Sequence, residues 1–183
     1  LTAEDEQVYS QISRQTSVIF QNIHLLTSVQ RRLKEVNLLL DFSRTLGDLS
    51  PVEMMNALLH SALQVISSAH AGSVLVWDEA KECLEPQAVQ GYADNGSMEK
   101  INYRLGEALP GKSYARRSAQ RVDEINFTRD YTLSASQLIL YRQGTGGRLP
   151  ISSLLVPIQT GDYALGVLVL DNFNKTGAFQ EED

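Results

Sequence analysis

The residues that could carry catalytic or metal chemistry are few. Cys83 is the only cysteine of the 183 residues, so no intrachain disulfide, thiolate zinc cluster or iron–sulfur centre can be built from this chain. The three histidines, His24, His60 and His70, do not form the H-E-x-x-H pattern of a zinc protease. The sequence therefore predicts a non-catalytic chain without a metal site, although a redox activity through Cys83 is kept as an alternative.

One cluster of basic residues in the second half of the chain could attract a ligand. Its members are Lys112, Arg116, Arg117 and Arg121. A helix that begins after Gly111 would add free backbone N–H groups, and together these groups would attract an anionic ligand. The alternative is a solvated basic face whose charge is balanced by Asp123 and Glu124.

Composition excludes several other classes of function. The net charge is −6 and the acidic residues are dispersed, which argues against nucleic acid or an anionic membrane surface as a partner. No apolar run is long enough to span a bilayer. A single cysteine is typical of a reducing compartment, so we expect a cytoplasmic protein. Hydrophobic residues make up 43 % of the chain, enough for a packed core.

The elements that must position these residues begin with one long helix. Residues 2–46 contain no glycine or proline, and apolar residues recur in heptads. The seam consists of Ile12, Ile19, Leu26, Val29, Leu33, Val36 and Leu40. Such a helix would be roughly 65 Å long, more than one small domain can cover, so we expect a parallel homodimer. The alternative is a helix that folds back on its own domain.

Residues 1–46 are therefore predicted to be a linker helix, and residues 47–183 a globular domain. Ser50, Pro51 and Glu53 have the spacing of a capping box, which predicts a helix through Ser68. "SVLVW" and "CLEPQAVQGY" form one predicted hairpin, and "SSLLVPI" and "ALGVLVLDN" a second, central one. "KINYRL" and "RVDEIN" predict short strands, "GKSYARRSAQ" a helix, and residues 128–148 a mobile helix or loop. This order indicates an α+β fold, a central antiparallel sheet with helices on one face.

Two stretches resemble the motifs of GAF domains, which are small-molecule sensor modules of signalling proteins. They are "LGEALPGKSYARRSAQRVDEI" and "SSLLVPIQTGDYALGVLVLDN". "VLVWDEAKECLEP" is similar to the first hairpin of that family, and the resemblance covers roughly residues 50–183. It implies a GAF-like central antiparallel sheet with helices on one face, preceded here by the long linker helix.

The resemblance also implies a function. The domain would be a regulatory small-molecule sensor in a signal-transduction protein of the sensor histidine kinase (two-component) or diguanylate cyclase type. An unknown ligand would bind beneath residues 94–150, and the change would pass through the helices that lead into and out of the domain. The ligand-binding residues implied are Tyr131, Arg142, Arg148, Ser152 and Ser153. The alternative is a pocket filled by its own side chains, which would make the domain a dimerising spacer.

The same resemblance limits the cofactor. Some GAF domains attach a bilin through a cysteine beside a histidine in the covering stretch, and this chain has neither residue there, so no covalent bilin is expected. The branch that reduces free methionine sulfoxide resembles a thiol relay that needs several cysteines. "NKTGAFQEED" resembles the N-K…F-x-x-x-D-E motif of cyclic-nucleotide-binding members, through Asn174, Lys175, Phe179 and Asp183. The cofactor stays unknown.

The two ends of the chain resemble each other. "FQEED" has the pattern of a helix that leaves a GAF domain, and "LTAED" at the start of the chain shows a similar pattern. We therefore expect a tandem array, in which residues 1–46 leave a preceding module. The alternative is a chance match, because F-x-x-x-D is a common helix start.

Overall fold

The computed structural model of this chain describes residues 50–161, 163–181 and 183. All of the described helices and strands belong to one compact unit, Leu49–Asp183. The predicted linker helix over residues 1–46 and its heptad seam lie outside the described residues. Within the described ranges, no helix is long and apolar enough to cross a bilayer.

The described elements alternate between short helices and strands. In chain order they are α1 Pro51–Val65, β1 Ala71–Asp78, β2 Cys83–Gln90, α2 Asn95–Met98, β3 Tyr103–Arg104, α3 Ala108–Arg116, β4 Gln120–Val122, α4 Phe127–Asp130, α5 Ala135–Gly144, β5 Ser152–Thr160 and β6 Tyr163–Asn172. Both predicted hairpins, β1–β2 and β5–β6, are confirmed.

Helix α1 begins with the predicted capping box. The Ser50 side chain accepts a hydrogen bond from the Glu53 backbone N–H at 3.3 Å, and the Ser50 N–H donates to the Glu53 carboxylate at 2.8 Å. These two bonds satisfy backbone groups that the first helical turn leaves without partners. The helix ends at Val65, three residues earlier than predicted.

The six strands form one antiparallel sheet in the order β3-β2-β1-β6-β5-β4. The two hairpins meet through β1 and β6, which occupy the centre, and β5 lies beside β6 with β4 on its outer edge. The register places Ala71 of β1 and Ser153 of β5 on either side of Asp171 of β6. This register positions the candidate site described below.

Side chains that alternate along the strands face two separate cores. On one face, α1 packs through Leu59 against Val74 and Leu170. On the other face, Leu75, Val167 and the side chains of the segment between β2 and β5 form the larger core. This segment covers the second face with four short helices, so it is more helical than the sequence predicted. In particular, residues 128–148 contain the end of α4 and all of α5.

Two local expectations were wrong. The helix predicted to begin after Gly111 begins at Ala108, and the Gly111 N–H donates to the Glu107 carbonyl at 3.0 Å, so it is not free. A side chain at Gly111 would lie 2.1 Å from the Arg104 carbonyl oxygen, so glycine permits the close approach of α3 and β3. The strand predicted as "SSLLVPI" extends two residues further, to Thr160. Strand β4 pairs with β5 only at Ser153–Leu155, which leaves that edge of β5 open around Pro157.

Candidate functional site

The candidate site is built around a carboxyl group in the interior of the domain. Asp171, near the end of β6, is 1 % exposed. The Tyr92 hydroxyl donates to Asp171 Oδ2 at 2.6 Å, and the Ser153 hydroxyl donates to Asp171 Oδ1. Ser153 lies opposite Asp171 in the β5–β6 register, and Tyr92 follows the end of β2. Three distant parts of the chain therefore meet at one carboxyl group.

Burial controls the ionisation of this group. It raises the pKa of Asp171 above its ordinary value, because the protein interior solvates a carboxylate less well than water does. The hydrogen bonds from Ser153 and Tyr92 favour the carboxylate and offset part of that rise. The pKa of Tyr92 is raised well above its usual range, mainly by burial and secondly by the charge of Asp171. This phenol therefore stays a neutral donor at physiological pH.

Two further tyrosines enter the interior from the covering segment. Tyr131 follows α4 and Tyr141 lies in α5, and both are buried. Their rings lie 5.4 Å apart between centroids, and Phe127 stacks on Tyr131 at 4.7 Å. Burial raises the pKa of both phenols, and the charge of Asp171 contributes in each case. We call Tyr92, Tyr131, Tyr141, Ser153 and Asp171 the interior site.

One polar group of the interior site has unused hydrogen-bonding capacity. The buried Tyr141 hydroxyl makes no hydrogen bond of good geometry among the residues that the structure describes, although it lies close enough to the Tyr131 hydroxyl to lower the pKa of that phenol. An unpaired buried hydroxyl is unfavourable and calls for an explanation, such as a bound molecule. The interior site thus offers a carboxyl acceptor, hydroxyl donors and aromatic faces, a combination that suits a small molecule with an ammonium or other donor group.

The structure brings together two of the five residues implied by the resemblance. Tyr131 and Ser153 belong to the interior site, whereas Ser152, the neighbour of Ser153 in the strand, is buried and donates to the Lys175 carbonyl at 2.9 Å. Successive side chains in a strand point to opposite faces. Ser152 therefore supports the segment after β6 and does not share the face of the interior site.

The two arginines of the implied set are exposed. Arg148 donates to Asn174 Oδ1 at 2.7 Å and to the Phe173 carbonyl at 3.3 Å, and its guanidinium carbon lies 5.7 Å from the centre of the Phe173 ring. Arg142 lies in the last turn of α5. Both arginines therefore lie on the surface, and Arg148 holds the segment that follows β6.

Sequence reasoning missed Asp171, Tyr92 and Tyr141. One signal could have found Asp171: it continues the alternation of Val167 and Val169, both of which face the larger core. An acidic residue in such a position is either paired in the interior or functional. No comparable signal marked Tyr92 or Tyr141, because their positions depend on the path of the covering segment.

The single thiol is remote from the interior site. Cys83 begins β2, whose other end, Gln90, pairs with Gly72 next to the Ala71–Asp171 pair. The seven residue-to-residue steps from Cys83 to Gln90 correspond to roughly 23 Å along the strand.

The thiol of Cys83 is also in an unreactive state. Burial raises its pKa, and the carboxylates of Glu85 and Asp78 raise it further, so the thiolate form is disfavoured. Across the described ranges, no group of three potential ligands is placed to hold a metal ion.

Comparisons with known proteins identify the fold. The GAF domain of a phosphoenolpyruvate-protein phosphotransferase from Coxiella burnetii has a TM-score of 0.64 at 18 % identity, over 82 % of this chain and 83 % of that one. The GAF domain of the corresponding Acinetobacter phosphotransferase has a TM-score of 0.65 at 15 % identity, over 84 % of this chain and 82 % of that one.

A third similar structure is an enzyme. Free methionine-R-sulfoxide reductase from Neisseria meningitidis, in complex with its substrate, has a TM-score of 0.62 at 16 % identity, over 84 % of this chain and 81 % of that one. No family model matches the sequence, and no curated protein does. At these identities the likeness is one of fold, and it confirms the predicted GAF-like α+β architecture.

Proposed function

We propose that this chain, whose described part has the fold of a GAF domain, is a regulatory sensor of a small molecule within a larger signalling protein. The observation that carries the proposal is the interior site: a fully buried Asp171 carboxyl group held by two hydroxyl donors, near the Tyr141 hydroxyl, which makes no hydrogen bond of good geometry within the described residues. Sensor histidine kinases and diguanylate cyclases are the proposed types of parent protein. The domain itself is proposed to be non-catalytic.

The chemistry of the site suggests which ligands would bind. Burial raises the pKa of Asp171, so a cationic group that entered would favour the carboxylate and displace its proton. An acceptor atom on the same molecule would accept a hydrogen bond from the Tyr141 hydroxyl. Because Tyr131 and Tyr141 belong to the covering segment, a ligand among them would bind differently to open and closed positions of that segment. Such differential affinity is what shifts a conformational equilibrium.

One residue links the interior site to both ends of the domain. Asn172, the neighbour of Asp171, donates from its side-chain amide to the Ser68 carbonyl at 2.6 Å. Its amide oxygen accepts the backbone N–H groups of Asn174 and Lys175, each at 2.8 Å. A shift of β6 at Asp171 would therefore reach the connection after α1 and the segment toward the C-terminus. We propose that helices before and after the domain carry this shift to an output domain.

The assembly is proposed from the sequence. The heptad seam in residues 1–46 would pair two copies in parallel, which gives the ligand-induced shift a two-stranded helical path to the output. The proposed partners are a second copy of this chain and an unknown small molecule, without nucleic acid or membrane contact, and the proposed location is the cytoplasm.

The proposal is tested on the purified 183-residue chain. Native mass spectrometry would detect a retained small molecule, and a thermal-shift panel of choline, ethanolamine, polyamines and free amino acids would detect a ligand added at millimolar concentration. Binding well above the dissociation constant should raise the melting temperature by about 5 °C or more. Asp171→Asn should abolish the rise, and the exposed control Arg142→Ala should retain it. No retained mass and no response across the panel would overturn the proposal.

A second candidate function, a dimerising spacer, is favoured by the packing of the interior. Tyr92, Tyr131 and Tyr141 are all buried, and the aromatic rings of the covering segment are in contact. If these side chains fill the interior permanently, Tyr141→Ala should lower stability without changing any response to small molecules. In a ligand-binding domain, the same variant should alter the affinity in the thermal-shift panel.

A further inference from the structure

A second groove lies outside the interior site, where α3, β4 and α4 meet. It has a volume of about 470 Å³. The side chains on which the argument depends are Leu109, Lys112, Arg116, Gln120, Arg121 and Val122. We call this the basic groove. Strand β4 is an edge strand that pairs only with β5, so the groove lies at an open edge of the sheet.

The basic groove concentrates positive charge on a chain whose net charge is −6. Two of its cations are neutralised locally: Arg129 binds the Asp130 carboxylate at 2.8 Å, and Arg121 binds Asp123 at 3.0 Å. Among the residues that the structure describes, Lys112 and Arg116 have no carboxylate within ion-pair distance, but Asp130 also lines the groove and the charge of Lys112 helps to lower the pKa of its carboxyl group. The groove therefore keeps an excess of positive charge, because Asp130 already pairs with Arg129 and balances Lys112 only in part.

These two cations lie on one face of the same helix. Lys112 and Arg116 are four residues apart in α3, a spacing that places like charges side by side and disfavours the helix. An anion bound between the two side chains would attract both cations and so offset their mutual repulsion. Their spacing suits a doubly charged group with several acceptor oxygens, because a guanidinium can donate two parallel hydrogen bonds to such a group.

Gln120 adds an independent observation on the wall of the groove. Its amide oxygen accepts a hydrogen bond of 3.5 Å from the Arg116 guanidinium. Its amide nitrogen is buried and has no acceptor within the described part of the chain. A buried donor without an acceptor is unfavourable, and a rotation of the Gln120 side chain would bring this amide group toward an oxygen-rich ligand held by Arg116.

The groove also has an apolar part. Leu109, one turn before Lys112 on α3, is buried, and Val122 of β4 is half-buried. A ligand that carried only charge would leave these side chains unused. We propose that the basic groove binds a phosphate monoester, with the phosphate held by Lys112, Arg116 and the Gln120 amide and the organic group against Leu109 and Val122. This site is separate from the interior site, and the proposal does not depend on the proposed function.

The test uses inorganic phosphate, phenyl phosphate and succinate as probes. Calorimetric titrations of the full chain at low ionic strength, where charge interactions are least screened, should show saturable binding of inorganic phosphate and tighter binding of phenyl phosphate. Lys112→Ala/Arg116→Ala should weaken both by about tenfold or more. The control Lys100→Ala/Arg104→Ala removes the same charge elsewhere and should change affinity by less than about twofold.

Three results would overturn the proposal: no saturable binding of either phosphate, equal weakening by the control pair, or binding of succinate as tight as that of phosphate. Circular dichroism of each variant shows whether it is folded. Gln120→Glu, which replaces the amide donor by a carboxylate and leaves α3 unchanged, supplies a second variant and should also weaken phosphate binding. Asp171→Asn should leave phosphate binding unchanged, so failure of the interior site and failure of the basic groove are distinguishable.

Discussion

The Tyr92 hydroxyl and the Asp171 carboxylate, 79 positions apart in the sequence, are joined by a buried hydrogen bond of 2.6 Å. Tyr92 lies just after β2, and Asp171 lies near the end of the central strand β6. The bond therefore ties the start of the covering segment to the sheet that it covers.

The ionisation of Asp171 should make stability depend on pH. Because its pKa is raised in the folded state, the native carboxyl group holds its proton at pH values where the unfolded chain has released it. Its contribution is fully present below the unfolded pKa of about 3.9 and is lost as pH rises through the raised native pKa. The free energy of unfolding of the wild type, relative to Asp171→Asn, should therefore increase as pH falls. Urea unfolding at pH 7.5, 5.5 and 4.5 measures this, and a flat difference would contradict it.

Removing the Tyr92 hydroxyl should weaken the domain. Tyr92→Phe leaves Asp171 with one donor fewer in a buried position, which should cost about 1–3 kcal/mol of unfolding free energy near neutral pH. Because the Tyr92 hydrogen bond lowers the pKa of Asp171, the variant should also move the pH dependence to higher pH. Tyr163→Phe, at a site that is 77 % exposed, is the matched control and should have no measurable effect.

The central strands should not tolerate a side chain at Gly166. A Cβ atom there would lie 2.0 Å from the Leu75 carbonyl oxygen, so Gly166→Ala must push β1 and β6 apart. We expect a loss of at least about 2 kcal/mol in chemical denaturation. Gly96→Ala is the control, because its nearest neighbour would be Asp94 Oδ1 at 3.4 Å. Similar stabilities for the two variants would show that the strands can move apart.

The proposed dimer is tested at the heptad seam. Leu26→Asp/Leu33→Asp places two charges in the predicted helix–helix interface, so sedimentation at micromolar concentration should change from dimer to monomer. The globular part should remain folded, as judged by a near-ultraviolet circular dichroism spectrum like that of the wild type. A dimer that persists in the double variant would place the interface elsewhere.

Reductase activity should be absent. The similarity to free methionine-R-sulfoxide reductase is one of fold, whereas Cys83 is the only thiol in the chain, is 7 % exposed and lies at the opposite end of β2 from the interior site. Incubation with free methionine-R-sulfoxide and dithiothreitol should yield no methionine above a protein-free control. Turnover that is lost in Cys83→Ser would refute the proposal that the domain is non-catalytic.

Local features of the sequence predicted much of the fold. The capping box of Ser50 and Glu53 joins residues three positions apart, and the two hairpins join strands that follow one another along the chain. Such features depend on the residue types themselves, so the helix and the hairpins could be predicted without knowledge of the rest of the structure. Their order predicted an antiparallel sheet with helices, and the resemblance of three stretches to GAF motifs implied the GAF-like architecture.

The covering segment was harder to predict. Helix α5 begins with a capping box formed by Ser134 and Gln137, but the segment shows little amphipathic periodicity because its aromatic residues, including Tyr131 and Tyr141, pack against one another as well as against the sheet. In addition, a helix start placed at Gly111 was wrong, since that glycine is required for contact with the Arg104 carbonyl and not for a helix terminus.

By itself, the sequence determined the first helix, the two hairpins and their order, the lack of a multi-thiol site and the position of the basic cluster, because each of these depends on residue type and short-range spacing. Only the tertiary structure decided that Asp171 meets Tyr92 and Ser153. It also decided that polar atoms of Tyr141 and Gln120 keep unused hydrogen-bonding capacity. Finally, it decided that Ser152 and Arg148 hold the segment after β6. Those relationships depend on strand register and on the path of the covering segment, and a one-residue slip in register would turn the opposite set of side chains toward the interior.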